Sequence, residues 1–191
     1  MESDNSKKSI LSAALELFSV KGYDAVGVQE ICDAAGITKP TLYYFFKSKQ
    51  GLVEAIVDEW GVELLRSVKD AAVYQRDFIK GLTNILTAQI IFAKENPMFF
   101  RFHVGLLNAP NDSEARSVYA PVIKKLDSCI DSFFLQSAAE FGNMRGKEKL
   151  YALLFRNTVQ AVAFQCVQRK LKSDDQMIFQ IVHSFVYGVA S

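Results

Sequence analysis

The chain has 191 residues, half of them hydrophobic and 23% charged, with a formal net charge of +1. This balance suits a packed globular protein and argues against a disordered chain; near-neutrality gives no global signal for nucleic acid or membrane. Three scattered cysteines, Cys32, Cys129 and Cys166, show no C-x-x-C spacing, which argues against a disulfide framework or a zinc site.

The N-terminal stretch M-E-S-D-N-S-K-K runs into an amphipathic segment without the apolar core of a signal peptide. No apolar run approaches the ~18 residues of a membrane span. A cytoplasmic, reduced protein with no membrane partner is the expectation. The first helix carries Ile10, Leu11, Ala14, Leu17 and Phe18 at helical spacing, with Asp4, Asn5 and Ser6 as N-cap candidates and a stop at Gly22. A short apolar pattern follows, Val28, Ile31 and Ala35, ending at Gly36.

The next stretch, GITKPTLYYFFKSK from Gly36 to Lys49, holds four aromatic residues and three lysines with no acid. Propensity alone reads T-L-Y-Y-F-F as a strand. Punctuation reads it as a helix, with Thr38 as cap and Pro40 in the first turn. The rest of the chain arbitrates. A helix is expected from about Ser48 to Ala72, another from about Tyr74 to Asn96, and a short aromatic one over P-M-F-F-R-F-H-V-G-L-L. Ser113 and Glu114 open a further helix that either kinks at Pro121 or begins there and that ends at Gly142. A long helix spans R-G-K-E-K-L to Q-R-K-L, and Ser173, Asp174 and Asp175 cap a final one. The pattern predicts an all-α fold of about nine helices, with no hairpin, repeat or low-complexity linker.

In such a fold the basic aromatic stretch is a helix too. At about 100° per residue, Leu42 and Phe46 share an inward face, leaving Lys39, Pro40, Thr41, Tyr43, Tyr44 and Lys47 on the outer arc. With V-Q-E-I-C-D-A-A-G before it, this has the grammar of a helix-turn-helix: small residues, a turn glycine and a second helix that can enter a major groove. Lys39 can donate to guanine, and Thr41 and Pro40 can meet a thymine methyl. Tyr43 and the lysines reach phosphates.

Residues from about Lys7 to Val57 resemble the N-terminal domain of the TetR family of transcriptional regulators. The string A-G-I-T-K-P-T-L-Y-Y-F-F-K-S-K-Q-G-L-V-E-A-I carries the resemblance, with the start I-L-S-A-A-L-E-L-F-S-V-K-G-Y. The resemblance implies base or groove contacts from Lys39, Pro40 and Thr41, and phosphate contacts from Tyr43, Tyr44 and Lys49 with help from Gln29. With Thr38 and Lys47 these form the candidate DNA-binding set. Phe45 stands where many relatives have histidine, and Gly27 where a Ser or Thr cap is usual.

The implied organisation is a DNA-binding domain over residues 1–49 and a helical ligand-binding and dimerisation domain over 50–191. Aromatic residues concentrate in the latter, and Phe99, Phe102, His103, Phe133, Phe164, Asn157 and Gln160 are the candidates to contact a small apolar or aromatic effector. The last two helices carry Leu150, Leu153, Leu154, Ala161 and Val162, then Ile178, Ile181, Val182, Phe185 and Val189. In the family such helices pair across a two-fold axis, and a palindromic operator requires that symmetry. The partners implied are operator DNA, a second copy and an effector. No catalytic residue, metal or cofactor is expected: the chain has only two histidines, His103 and His183, and lacks G-x-G-x-x-G, P-loop and H-E-x-x-H motifs. The expected function is a ligand-responsive repressor; the alternative is a helical interaction protein without specific DNA binding.

Overall fold

The computed structural model describes residues 2–141 and 144–190, and the side chains of residues 6–141 and 144–188. The described residues are all-helical, as the apolar periodicity predicts: α1 (Glu2–Lys21), α2 (Val28–Ala35), α3 (Lys39–Phe46), α4 (Lys49–Ile56), a π-helical turn (Val57–Gly61), α5 (Val62–Ala71), α6 (Phe78–Glu95), α7 (Pro97–Leu107), α8 (Glu114–Ser137), α9 (Glu148–Val167) and α10 (Asp175–Ala190). The fourth expected helix is divided by the π turn, which turns nine expected helices into ten α-helical segments. Two compact units result, residues 1–62 with 96–121 and residues 63–95 with 122–191.

In the first unit α1 packs against α2, α4 and α7. Ile10, Leu11, Ala14, Leu15 and Phe18 form its buried stripe. Gly22 ends α1 at φ 81°, donating its N–H to the Phe18 carbonyl at 3.0 Å. The expected caps at residues 4–6 lie inside the helix, which begins at Glu2. In the π turn, Trp60 stacks on Phe99 at 6.3 Å between centroids, and a Cβ on Gly61 would lie 3.3 Å from the Tyr119 ring. Arg116 closes α7, its Nη1 donating to the Leu106 and Leu107 carbonyls at 2.6 and 2.7 Å, two of the acceptors every helix end leaves open.

In the second unit α6 packs against α9 and α10. Its core is a phenylalanine cluster: Phe78, Phe133, Phe134, Phe155 and Phe185 contact one another at 5.1–6.2 Å between centroids. Gly81 makes room for it, since a Cβ there would fall 2.3 Å from the Phe133 ring. The α6 cap is Asp77, whose carboxylate accepts from Lys80 N at 2.9 Å, so α6 starts later than the Tyr74 expected. Likewise Asp174 caps α10 by accepting from Met177 N, while Ser173 receives the Lys94 ammonium. Helix α8 runs through Pro121, its first turns in the first unit and the remainder in the second. Arg156 of α9 ties to α8 through Asp131 at 2.7 Å and Asp127 at 3.3 Å. The stop expected at Gly142, and the side chain of Val189, lie outside the described residues.

Candidate nucleic-acid interface

The turn between α2 and α3 is built on backbone that only a few residue types adopt readily. Gly36 sits at φ 64°, ψ 35°, the left-handed region where a side chain is strained. From there Ile37 N donates back to Cys32 O at 3.0 Å and Gly36 N to Asp33 O at 3.3 Å, closing the end of α2. Thr38, in extended conformation, starts α3 with Pro40 in the first turn. Its hydroxyl does not cap the helix; it pairs with the Thr41 hydroxyl at 3.0 Å.

Leu42 is fully buried and Phe46 nearly so, which fixes the roll of α3 on the first unit. That roll turns Lys39, Pro40, Tyr43, Tyr44 and Lys47 outward and leaves Thr41 and Phe45 half-buried. Tyr44 is 72% exposed, an unusual position for so large a ring unless it meets a partner. Phe45 stands edge-on to it at 5.1 Å. The Lys47 ammonium donates to the Tyr44 carbonyl at 3.1 Å. Gln29, exposed at the start of α2, donates to Asp33 at 2.8 Å, and Gly27 caps α2 without a side-chain hydrogen bond.

Lys49 is placed differently from the other two lysines. It opens α4 after Ser48, whose hydroxyl accepts from Gly51 N at 2.9 Å. Half-buried, its ammonium lies 3.9 Å from the centre of the Tyr23 ring. Burial lowers its pKa, and the carboxylates of Asp24 and Glu114 oppose that shift. The Tyr23 hydroxyl donates to Glu114, and burial first, then this bond, push the phenol upward.

The effector candidates fall into separate units. Phe99, Phe102 and His103 are buried in the first; Phe133 is buried in the second, where Gln160 and Phe164 are half-buried. Phe102 borders a cavity of about 270 Å³ with Phe18, Tyr23, Leu106 and Ala109. Asn157 is exposed and donates to Leu153 O of its own helix at 2.8 Å. It lies among Leu150, Leu153, Leu154 and Ala161, which are exposed at spacings of three and four residues along α9. On α10, Phe179, His183 and Tyr187 are exposed and form a continuous stack, with centroids 5.2 and 4.0 Å apart.

His103 Nδ1 shares a hydrogen bond of 2.8 Å with the Tyr119 hydroxyl. Burial lowers the imidazole pKa from 6.5 to about 4. The group is therefore neutral in both folded and unfolded chains above pH 6.5, and below it the unfolded chain takes the proton first. Stability is expected to fall by about 3 kcal/mol as pH drops from 6.5 to 4. Urea unfolding across that range checks this: His103→Gln should flatten the decline relative to the wild type, and an equal decline in both would assign it to other groups.

Among the described residues no cluster of three His, Cys, Asp or Glu side chains could hold a metal, no helix is long and apolar enough to cross a membrane, and the three cysteines are free. Sequence reasoning missed Tyr23, Glu114 and Tyr119 as partners of site residues. The first two are brought to Lys49 only by folding, and the one available signal was an aromatic residue directly after the glycine that ends α1.

A family model described as bacterial regulatory proteins, tetR family, matches residues 10–56. The HTH-type transcriptional activator FasR of Mycolicibacterium smegmatis is 30% identical over 132 residues, which are 69% of this chain and 58% of FasR. The chain thus spans under two thirds of that relative's length. A TetR-like transcriptional regulator from Rhodococcus sp. RHA1 shares the fold at a TM-score of 0.74 and 18% identity, with 96% of each chain covered. AibR, solved with isovaleryl coenzyme A and operator DNA, superposes at a TM-score of 0.71 and 21% identity, covering 97% of this chain and 98% of AibR.

Proposed function

This chain belongs to the TetR family of bacterial regulatory proteins, and we propose from that premise that it is a homodimeric transcriptional regulator that reads a palindromic operator. One observation carries the reading: the exposed arc of α3, with Lys39, Pro40, Tyr43, Tyr44 and Lys47, projects directly after the left-handed Gly36 turn, while Leu42 and Phe46 anchor the opposite face. A helix held that way presents its N-terminal side chains to base edges and its tyrosines and lysines to phosphates. Thr38, Thr41 and Gln29 complete the contact surface.

Two copies are needed to place two such helices on successive turns of DNA. The apolar stripes of α9 and α10 support that pairing, since exposed leucine and aromatic rows of this length mark a protein interface. In this reading residues 1–49 bind DNA, and residues 50–191 dimerise and hold the effector. The effector is a small apolar or aromatic molecule contacted by Phe133, Gln160 and Phe164, or by Phe99, Phe102 and His103. Solved AibR carries both isovaleryl coenzyme A and DNA on the same fold, which supports effector control. Repression is the sign we assign, because it asks for no contact beyond operator occupancy; the activator FasR marks the opposite sign within the same family. An effector that favours the DNA-free conformation would lift it.

The test begins with selection of duplexes from a random pool by the purified protein, followed by fluorescence anisotropy at several salt concentrations. Lys39→Ala is expected to weaken binding by about 1–3 kcal/mol and to relax the preference at one base pair. Lys47→Ala is expected to weaken all sequences alike and to reduce the log–log salt slope by about one. A wild type that enriches no sequence would sink the regulator reading in favour of an interaction protein.

A further inference from the structure

We propose that Glu114 is a positioning residue that competes with DNA phosphate for the Lys49 ammonium, so that the first turn of α8 sets how tightly the helix-turn-helix holds DNA. The inference rests on the DNA-binding reading above and deepens it. Three lysines punctuate the recognition segment, and their surroundings differ. Lys39 is exposed and, among the described residues, has no ion pair; Lys47 is exposed and bonded to its own helix at the Tyr44 carbonyl. Lys49 lies over the Tyr23 ring at 3.9 Å from its centroid, closer than Lys47 to the Tyr44 ring at 5.9 Å, and within the field of the Asp24 and Glu114 carboxylates.

The contact is anchored. Tyr23 is 7% exposed, its ring rests on Phe18 at 5.3 Å, and its hydroxyl donates to Glu114. The ring therefore fixes the carboxylate on one side and receives the ammonium on its face. To reach a phosphate, Lys49 must leave both the ring and the carboxylate field, and the affinity it contributes to DNA is reduced by what it gives up. Glu114 itself is held where a carboxylate is favoured, in the first turn of a helix. Any displacement of that turn changes the restraint on Lys49 without touching α3.

The experiment is a double-mutant cycle on a fluorescein-labelled duplex selected by the wild type, read by anisotropy over a salt series. Glu114→Gln keeps an acceptor for the Tyr23 hydroxyl and removes only the charge, so the fold is preserved. The expected result is binding about threefold to tenfold tighter than wild type. In a Lys49→Met background the same change should have no effect, and Lys49→Met alone should reduce the salt slope by about one. Three results would overturn the inference: unchanged or weaker binding by Glu114→Gln, equal tightening with and without Lys49, or a Lys49→Met slope equal to wild type. If the wild type prefers no duplex, the DNA-binding reading falls and takes this inference with it; if it binds and Glu114 is silent, only the inference falls.

Discussion

A chain carrying Leu153→Glu and Phe179→Glu is expected to sediment as a folded monomer and to bind a palindromic operator at least about 100-fold more weakly than wild type. Both side chains are exposed in the single protomer, 47% and 63%, so the substitutions cost little folding energy there. Their effect falls on whatever covers them. Leu150, Leu153, Leu154 and Ala161 line one stripe of α9, and Phe179, His183 and Tyr187 one stripe of α10. Burying rows like these removes apolar surface from water at about 25 cal/mol per Å², and a carboxylate on each row reverses that gain by demanding solvation. In the dimer proposed above, the loss at the operator is larger than at a half-site because the second recognition helix is no longer supplied intramolecularly. Sedimentation velocity with anisotropy on full and half operators checks both parts. A variant that remains dimeric would move the two-fold axis away from these helices.

The largest stability loss is expected at Phe134. Its side chain is fully buried, with the rings of Phe78, Phe133, Phe155 and Phe185 at 5.6–6.2 Å between centroids. Those neighbours come from α6, α8, α9 and α10, so Phe134→Ala opens a void that no single helix can close by shifting. The cost is about 3–5 kcal/mol, or roughly a 10 °C fall in Tm for a chain of this size. Thermal unfolding by circular dichroism measures it. A fall under about 3 °C would mean that the cluster repacks. Secondary structure should survive below the transition, because the rings hold the helices to each other and do not form them.

Much of the helical architecture is written in short-range signals. Gly22 and Gly36 stop helices because they occupy left-handed backbone, and that requirement is local. The inward pair Leu42 and Phe46, against outward Tyr43, Tyr44 and Lys47, follows from 3.6 residues per turn, and the buried faces confirm it. Helix starts were less legible where side chains compete for one role. Asp77 and Asp174, with no more obvious claim than Ser173, are the residues whose carboxylates meet a free N–H. The π turn at Val57–Gly61 has no local signature beyond Gly61; its contacts, Trp60 on Phe99 and Gly61 against the Tyr119 ring, are long-range ones.

By itself, then, the sequence determined the helical class, the helix-turn-helix and the outward face of its second helix, all of which depend on residues within a few turns of one another. Only the tertiary structure decided the rest. It divided the effector candidates between two cores, placing Phe99, Phe102 and His103 in one and Phe133 in the other, although the sequence reads them as one set. It turned Asn157 out onto an exposed apolar stripe, because Ala152, Phe155, Val159 and Ala163 claim the inner side of α9. And it set the Tyr23 ring, bonded through its hydroxyl to Glu114, beside Lys49, so that one of three similar lysines meets groups from outside its own helix. Each of these depends on contacts between residues far apart in the chain, and periodicity reports which side of a helix is apolar but not what that side meets.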